Sequence, residues 1–263
     1  MNAFVLYLLT LVSVVLSRPN LRIVGGSDVS KPFKYPFMVS ILKNDVHICG
    51  GTLYHGNMVI TAAHCSPKSG QVHLHSAETH RHNLELFYKE EGGMKHQVES
   101  VYTNSKFDLT TGAHDIAVWE LDAPFNKEAG IELDDGSISN QTEFPLKFIG
   151  WGITDTKEVA TILQEVVLPI IDFDKCNKKY NNTLIKQAQF CTMDNEQKKD
   201  ACQGDSGGPA FVKRGNKFIL VGVTSFGETC GHSEFPGVQT RVSSYKGFID
   251  GIVNMTNKNK TGV

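Results

Sequence analysis

The most informative segment of the chain is Gly204-Asp205-Ser206-Gly207-Gly208-Pro209, where one serine lies among glycines. Two further stretches precede it in the chain, Thr61-Ala62-Ala63-His64-Cys65 and His114-Asp115-Ile116-Ala117-Val118. A serine hydroxyl is a poor nucleophile at neutral pH, but a histidine within hydrogen-bond reach can accept its proton, and an aspartate can hold that imidazole in the required tautomer. Taken alone, each residue also has a plain structural explanation, as a packed histidine, a turn aspartate and a loop hydroxyl. Their occurrence together in the order His, Asp, Ser favours a nucleophilic site.

The composition of the 263-residue chain excludes several classes of protein. Its 26 Lys and Arg residues against 28 Asp and Glu residues give a formal net charge of -2, so the chain lacks the basic field that a nucleic-acid binder uses. Hydrophobic residues make up 40% of the chain and charged residues 21%, which is typical of a globular protein with a substantial core. The length allows either one large unit or two domains of ordinary size.

The amino terminus carries an apolar run that predicts export. Residues 1–17, MNAFVLYLLTLVSVVLS, contain no charged side chain and end in compact residues that suit signal peptidase. The run is short for a membrane span, which needs about 20 apolar residues. A secretory signal peptide is therefore predicted, with an uncleaved membrane anchor as the alternative. The mature protein is expected to be secreted and free of the membrane.

Export changes the interpretation of the cysteines, because an even set in an oxidising compartment predicts disulfides. The six are Cys49, Cys65, Cys176, Cys191, Cys202 and Cys230, and counting alone leaves their connectivity open. Zinc is the competing explanation, but no CxxC pair or finger-like spacing occurs. Four Asn-x-Thr sequons predict glycosylation of exposed segments, and they begin at Asn140, Asn181, Asn254 and Asn259.

The rest of the chain has the pattern of many short strands. Apolar or alternating runs of strand length lie between turn residues and predict an all-β fold. The clearest runs are Phe37 to Leu42, Thr52 to Thr61, Ile116 to Leu121, Phe148 to Trp151, Phe218 to Ser225 and Gly237 to Val242. Near the end, Tyr245, Phe248, Ile249 and Ile252 share one helical face, which predicts a helix at about 244–255. The polar tail Thr256 to Val263 is expected to be mobile.

The three motifs together resemble those of the trypsin-like serine proteases of the chymotrypsin family, and the resemblance covers residues 23–255. A fourth motif agrees, because Arg22 followed by Ile23-Val24-Gly25-Gly26 is similar to the family's activation junction. The resemblance implies two packed six-stranded antiparallel β-barrels and a short C-terminal helix. Together with the signal peptide predicted at 1–17 and the helix predicted at about 244–255, it implies these boundaries: activation propeptide 18–22, peptidase domain 23–263, first barrel about 23–135 and second barrel about 136–243.

The resemblance assigns roles to the residues of the motifs. It implies Ser206 as nucleophile, His64 as general base and Asp115 as the group that orients the imidazole. The backbone N–H groups of Gly204 and Ser206 are expected to form the oxyanion hole, where a side chain at position 204 would obstruct the approach. Ser225 is expected to lie beside Asp115 and to line the substrate site.

Activation follows from the same resemblance. Cleavage after Arg22 is expected to create an ammonium on Ile23 that pairs with the Asp205 carboxylate. A buried carboxylate without its partner is unfavourable, so the uncut chain is expected to be a zymogen. His47 falls where many family zymogens have a histidine that holds this aspartate in the inactive form, and an ordinary strand histidine is the alternative.

The substrate pocket is predicted from positions around the nucleophile. Asp200, six residues before Ser206, is expected at the base of the S1 pocket, where a carboxylate favours Arg or Lys at the substrate's P1 position. A surface acid is the alternative for Asp200. Gly227 and Gly237 match the pocket walls, where side chains would block a long basic residue.

Three positions depart from the usual family pattern. Phe226 replaces a tryptophan and keeps an aromatic wall, whereas Gln239 replaces a common tyrosine and alters the back of S1. Gly112 lies where the family often has a bulky residue, which predicts an open S2 subsite.

The resemblance also implies the disulfides Cys49–Cys65, Cys176–Cys191 and Cys202–Cys230. The histidines His73, His75, His80 and His82 suggest a metal site, but a solvated loop explains them better. This region aligns roughly with the calcium loop of some trypsins, yet it lacks a clear carboxylate pair in sequence. No metal and no cofactor are predicted.

The function expected from sequence is a secreted endopeptidase that cuts after Arg or Lys. Its partners are expected to be protein or peptide substrates with a basic P1 residue, with protein protease inhibitors as a further class that could bind the same cleft. Neither nucleic acid nor membrane is expected as a partner, and the chain is expected to be a monomer. The alternative is a catalytically weak or inactive protease-like binding or inhibitory module. A lipase or plain esterase is disfavoured because no GxSxG elbow surrounds Ser206.

Overall fold

The structure, a computed structural model, describes residues 26–125, 130–153, 159–194, 204–227 and 235–261. Strands dominate the described residues. They are β1 (Ser27–Asp28), β2 (Met38–Lys43), β3 (Val46–Tyr54), β4 (Met58–Thr61), β5 (His75–Thr79), β6 (Met94–Thr103), β7 (Ala117–Leu121), β8 (Ile131–Leu133), β9 (Pro145–Gly150), β10 (Gln164–Pro169), β11 (Gln189–Thr192), β12 (Pro209–Arg214), β13 (Lys217–Phe226) and β14 (Gly237–Arg241). Two α-helices accompany them, α1 (Phe173–Lys179) and α2 (Lys246–Thr261), and 3₁₀ turns cover Ala63–Cys65, Val72–Leu74, Tyr88–Glu91 and Val242–Tyr245.

The first sheet closes into a six-stranded barrel in the order β2-β3-β4-β7-β6-β5. All of its neighbours pair antiparallel. Strands β4, β5 and β7 are buried along their whole length, because one face fills the barrel and the other is covered by the rest of the protein. Trp119, Leu53 and Ile60 are among its fully buried side chains.

The second sheet follows the order β1-β10-β9-β12-β13-β14-β11, and β8 adds to β13 as a parallel neighbour. It is a curled half-barrel of eight strands, whereas the resemblance implied a six-stranded antiparallel barrel. Strands β1 and β8 are short, and both precede the segment of about 136–243 that is predicted to form the second barrel. They are the two strands that raise the number from six to eight. The all-β, chymotrypsin-like fold is confirmed.

Aromatic side chains join the two sheets. Tyr35 and Phe37, both just before β2, contact Phe211 and Phe218 of β12 and β13 with ring centroids 5.0–5.9 Å apart. The rings meet edge to face, which is a favoured arrangement for aromatic pairs. One apolar cluster therefore extends from the first barrel into the second sheet.

The turn at residues 55–57 corrects one strand prediction. The run Thr52 to Thr61 was predicted as a single strand, but the structure divides it between β3 and β4. His55 and Gly56 have φ angles of +45° and +78°, and such left-handed backbone makes a hairpin turn. The apolar residues on both sides of the turn hid it in the sequence.

Helix α2 corrects the prediction of a mobile tail. It spans Lys246–Thr261 instead of about 244–255, and the 3₁₀ turn Val242–Tyr245 precedes it. Thr256 explains the extension, because this side chain is buried and donates to the carbonyl oxygens of Ile252 and Val253. Within the described ranges, no helix is both long and apolar enough to cross a membrane.

Candidate active site

A histidine and an aspartate meet at one edge of the first barrel. Strands β4 and β7 pair antiparallel with Thr61 opposite Ala117, so the end of one strand lies beside the start of the other. His64 lies in the 3₁₀ turn just after β4, and Asp115 lies two residues before β7. The pairing of these strands therefore brings together two residues that are 51 positions apart in sequence.

The two side chains form a tight, partly enclosed pair. His64 Nδ1 lies 2.7 Å from Asp115 Oδ2, and the backbone N–H of His64 donates to Oδ1 over 2.9 Å. Asp115 is 1% exposed, whereas the His64 side chain is 28% exposed. In a neutral imidazole, donation from Nδ1 leaves Nε2 as an acceptor. The ring can therefore take a proton from a group on its open side.

Ser225 adds a third hydrogen bond to the same carboxylate. Its hydroxyl donates to Asp115 Oδ2 over 2.5 Å, from the end of β13 in the second sheet. Thr240 of β14 also donates, to the backbone carbonyl of Asp115 over 2.8 Å. Contacts from both sheets thus fix the aspartate, and the placement predicted for Ser225 beside Asp115 is the one observed.

Ser206 lies in a tight loop that both sheets hold. The backbone N–H of Gly50, in β3, donates to the Ser206 carbonyl over 2.8 Å. On the other side, Gly207 N–H donates to the Thr224 carbonyl over 2.8 Å. The Cys65 sulfur lies 3.7 Å from both the Ser206 carbonyl oxygen and His64 Nε2, so the serine residue and the imidazole flank one atom.

Two glycines of this loop are required by its backbone. Gly204 and Gly207 have φ angles of +95° and +78°, in the region that favours glycine. A Cβ on Gly207 would lie 2.1 Å from Thr61 Oγ1 and 2.6 Å from the Gly50 carbonyl oxygen. The glycine-rich motif therefore follows from how closely the loop approaches β3 and β4.

The same loop presents two N–H groups that bond to none of the described residues. The N–H groups of Gly207 and Gly208 bond to Thr224 and Asp205 carbonyl oxygens. Among the described residues, no acceptor takes up the N–H of Gly204 or of Ser206, and both residues are partly exposed. Converging N–H groups of this kind can bind an oxygen that carries negative charge.

Comparison with known proteins agrees with this geometry. The family model described as Trypsin matches residues 23–249. The chain is also 31% identical over 255 residues to the clotting factor G beta subunit of Tachypleus tridentatus, and the match covers 88% of this chain and 79% of the relative. The chain belongs to the trypsin-like serine proteases of the chymotrypsin family. It is thus a hydrolase at the level of its family.

In this trypsin-family chain, Asp205 lies in a cradle made by two glycines. It is 3% exposed, and its Oδ1 accepts from Gly152 N–H over 2.9 Å. A Cβ on Gly150 or Gly152 would come within 2.1–2.3 Å of its carboxylate oxygens. Arg22 and Ile23, the predicted activation junction, lie outside the described residues.

His47 supports the same loop from the first barrel. Its Nε2 lies 3.1 Å from the Gly204 carbonyl oxygen and its Nδ1 lies 2.8 Å from Ser40 Oγ, while Trp151 packs against the ring at 5.6 Å. Since the carbonyl only accepts, Nε2 carries the proton and Nδ1 accepts from the serine hydroxyl. Burial lowers the pKa of His47 to about 4, although the Gly204 carbonyl opposes the shift. In this structure the histidine therefore bonds to the backbone of Gly204, the residue next to Asp205.

The walls predicted for the substrate pocket face each other at the strand ends. Gly227 follows β13 and Gly237 begins β14, and a Cβ on Gly227 would lie 3.9 Å from Gly237 Cα, its only neighbour within 4 Å among the described residues. Gly227 is exposed and Gly237 is partly exposed. The predicted pocket base, Asp200, lies outside the described residues.

The space beside Gly112, where the sequence predicts an open S2 subsite, is filled by an aromatic ring. A Cβ on Gly112 would lie 2.3 Å from the Phe226 ring, and the residue has a φ of +64°. The ring therefore occupies the space that a side chain at position 112 would take. Phe226 also packs edge to face on Tyr180, with centroids 5.6 Å apart. The sequence prediction missed this because the two residues are far apart along the chain.

Two of the expected disulfides are present in the structure. Cys49–Cys65 joins β3 to the turn that carries His64, and Cys176–Cys191 joins α1 to β11. The third predicted pair, Cys202 with Cys230, lies outside the described residues. Three of the predicted glycosylation sites, Asn140, Asn181 and Asn254, are exposed, and Asn259 lies in α2.

The loop after β5 contains a buried cation that sequence reasoning missed. Arg81 is 4% exposed and bonds to the carboxylates of Glu78 and Glu91, and it also donates to the carbonyl oxygens of Asn83 and Leu86. The carboxylate pair judged to be absent therefore exists, and the guanidinium lies between its members. The two glutamates are 13 positions apart in sequence, so the pattern of nearby residues does not reveal the pair.

The histidines considered as metal ligands have other surroundings. His75 bonds to the Gln71 carbonyl, and the His80 ring stacks on Phe33 with centroids 3.8 Å apart. Among the described residues, the one group that brings three candidate ligand atoms together is Cys49, His64 and Cys65. Its two sulfurs form a disulfide, so they cannot bind a metal as thiolates.

Proposed function

We propose that this chain is a secreted serine endopeptidase, made as a zymogen, activated by cleavage after Arg22, that cuts peptide bonds after Arg or Lys. The observation that carries the proposal is the His64–Asp115 pair, together with the N–H groups of Gly204 and Ser206, for which the described residues offer no acceptor. A base, the carboxylate that orients it and oxyanion donors in one place are what acyl transfer to a serine requires.

In the first step, His64 Nε2 accepts the Ser206 hydroxyl proton while Oγ attacks the scissile carbonyl carbon. Asp115 stabilises the resulting imidazolium through the 2.7 Å contact to Nδ1. Collapse of the tetrahedral intermediate passes the proton to the leaving amine and leaves an acyl ester on Ser206. A water molecule, deprotonated by the same imidazole, then hydrolyses the ester and restores the hydroxyl.

The N–H groups of Gly204 and Ser206 act on the oxygen that becomes negative in the intermediate. Each such donor contributes about 2.7–4 kcal/mol to transition-state stabilisation. They need no rearrangement at the moment of reaction, because the hydrogen bonds of Ser206 and Gly207 to both sheets hold the loop in place.

Specificity and activation are inferred from fewer observations. The facing glycines Gly227 and Gly237 present no side chains to each other, and Asp200, six residues before Ser206, is the proposed carboxylate of that pocket by resemblance. The buried cradle of Asp205 suits an ion pair with a new ammonium at Ile23. The two disulfides are consistent with secretion.

The relative named as a clotting factor subunit makes a clotting-type process a candidate setting for this chain. Protein substrates, and protein inhibitors that enter the same cleft, are the proposed partners of a monomer. The competing function is a binding or inhibitory module without turnover, and the same experiment decides between the two.

The experiment cleaves the purified proform after Arg22 and measures turnover of matched peptide amides with Arg, Lys or Phe at P1. Turnover of the Arg and Lys amides is expected, and Ser206→Ala should abolish it. Asp115→Asn should lower kcat about ten-thousand-fold, because the imidazole loses the carboxylate that fixes its tautomer. No turnover of any amide, with Ser206 inert to an organophosphate, would instead support the binding module.

A second comparison separates chemistry from specificity. Asp200→Ser should lose most turnover of the Arg amide while Ser206 still reacts with a phosphonylating probe. Unchanged cleavage after Arg would remove Asp200 from the pocket but would leave the proposed triad in place.

A further inference from the structure

His114, the residue before Asp115, has a backbone conformation that its residue type disfavours. Its φ is +56°, in the left-handed region, which is unfavourable for a residue that carries a Cβ. The backbone N–H of Ile116 donates to the His114 carbonyl oxygen over 2.9 Å. A hydrogen bond between residues two apart closes a tight turn with Asp115 at its centre. The conformation of His114 therefore helps to set the direction in which the Asp115 side chain leaves the turn.

The imidazole of His114 is bonded to the C-terminal part of the chain. Its Nδ1 lies 2.8 Å from the Tyr245 hydroxyl oxygen, and the two rings meet edge to face with centroids 6.0 Å apart. Burial, with a smaller contribution from the Asp115 carboxylate, raises the pKa of Tyr245 to about 12. The phenol therefore keeps its proton and donates it to Nδ1, so Nε2 carries the proton of the neutral imidazole.

This hydrogen bond belongs to a set that holds the chain around Asp115 from the second half of the molecule. The other members are Gln189 on the Gly112 carbonyl at 3.1 Å, Thr240 on the Asp115 carbonyl and Ser225 on the Asp115 carboxylate. Among the described residues, Tyr245 makes the one side-chain hydrogen bond to His114, whose backbone is the unfavourable one. A residue persists in such a conformation only when its surroundings fix it, and such residues cluster at functional sites.

We propose that His114 is a positioning residue: the hydrogen bond from Tyr245 to its imidazole holds the left-handed turn that aims the Asp115 carboxylate at His64. The inference rests on the proposed function, because it takes His64 as the base and Asp115 as the group that orients it. Without the bond, the turn relaxes and the carboxylate moves from its place 2.7 Å from His64 Nδ1. Asp115 stabilises the imidazolium that forms during the reaction, so the loss falls on kcat rather than on KM.

The test removes the two partners of this bond separately and together. Tyr245→Phe removes only the hydroxyl and His114→Ala removes the ring. For the amide that the parent cleaves fastest, each should lower kcat about tenfold and change KM by less than about twofold. The double variant should lose little more than either single variant, since both remove the same bond. His114→Asn should keep the parental kcat, because asparagine tolerates left-handed backbone and its Oδ1 can accept in place of Nδ1.

A pH profile separates positioning from a general loss of structure. A displaced Asp115 carboxylate makes protonation of the His64 imidazole less favourable. The acid limb of kcat/KM should therefore move to lower pH in Tyr245→Phe and His114→Ala and stay in place in His114→Asn. Tyr54→Phe is the matched control, because Tyr54 is also 7% exposed and its hydroxyl donates to Asp250 of α2 over 3.4 Å. It should change neither kcat nor the acid limb.

The outcomes separate this inference from the proposed function. Rates are referred to the fraction of Ser206 that reacts with an organophosphate, so unfolded protein does not enter kcat. Parental kcat and an unmoved acid limb in Tyr245→Phe would overturn the role of His114 while the protease activity stands. An equal effect in Tyr54→Phe would attribute the loss to altered stability and would also overturn it. A parent protein without turnover of any amide would overturn the proposed function as well. If His114→Ala does not fold, Tyr245→Phe decides the question.

Discussion

The histidine that supports the nucleophile loop should make the protein lose stability in mild acid. His47 is enclosed by Ser40, Trp151 and the Gly204 carbonyl, and burial lowers its pKa from 6.5 to about 4. The folded protein therefore binds a proton less readily than the unfolded chain. Above pH 6.5 both states hold a neutral ring and the effect is absent. As the pH falls toward 4, only the unfolded chain gains a proton, so the free energy of unfolding decreases.

The size of the effect follows from the shift. A difference of one pKa unit corresponds to about 1.36 kcal/mol, so a shift from 6.5 to about 4 removes about 3 kcal/mol between pH 7 and pH 4. This is a large part of the stability of a typical domain, which is about 5–15 kcal/mol. One histidine can therefore set the acid limit of the fold.

The assay is urea unfolding at several pH values in a Ser206→Ala background, which prevents self-digestion. The comparison is between this protein and its His47→Gln variant, since a glutamine can donate to Gly204 and accept from Ser40 but does not titrate. Other histidines with lowered pKa, His82 and His96, are present in both proteins, so their effects cancel. Equal dependence of unfolding on pH in the two proteins would refute the reasoning.

Three further predictions concern stability and the cleft. Arg81→Met should lower the free energy of unfolding by about 3–5 kcal/mol, because two buried carboxylates lose their cation. Since the guanidinium occupies the space between these carboxylates, EDTA should leave the urea midpoint of the parent protein unchanged. Replacing both Cys176 and Cys191 by Ala should lower the same quantity by about 3 kcal/mol, and a loss below about 1 kcal/mol would contradict the contribution expected for a loop of this length. Gly112→Leu should displace the Phe226 ring, destabilise the protein by about 1–3 kcal/mol and change the preference for P2 in a substrate series. An unaltered P2 profile would show that the ring does not border that subsite.

Short motifs made the fold and the site centre predictable, because each carries its own local geometry. The glycines at 204 and 207 follow from left-handed backbone and a close approach to β3, so the motif and the loop imply each other. Likewise, the positions of His64 and Asp115 follow from the pairing of β4 with β7, because His64 lies just after β4 and Asp115 just before β7. Each motif is short enough to be recognised in the sequence, although the contacts that it makes are with distant segments.

Contacts between distant segments were harder to predict. Nothing near Arg81 in sequence indicates that Glu91 lies against it, and nothing near Gly112 indicates the Phe226 ring. The extension of α2 was missed for a related reason, since Thr256 belongs to a polar stretch and becomes helical because its hydroxyl bonds to the preceding turn. These outcomes depend on tertiary packing, which local patterns do not encode.

The loop around Ser206 is hydrogen-bonded to both halves of the molecule, to Gly50 of the first barrel and to Thr224 of the second sheet. Neither half of the molecule could therefore build the reaction centre by itself. If the two halves moved slightly apart, the distance between Ser206 and His64 would increase while the strands within each half stayed intact. Turnover therefore depends on the contacts between the two halves. As the urea concentration rises, turnover should be lost before the circular dichroism of the strands changes.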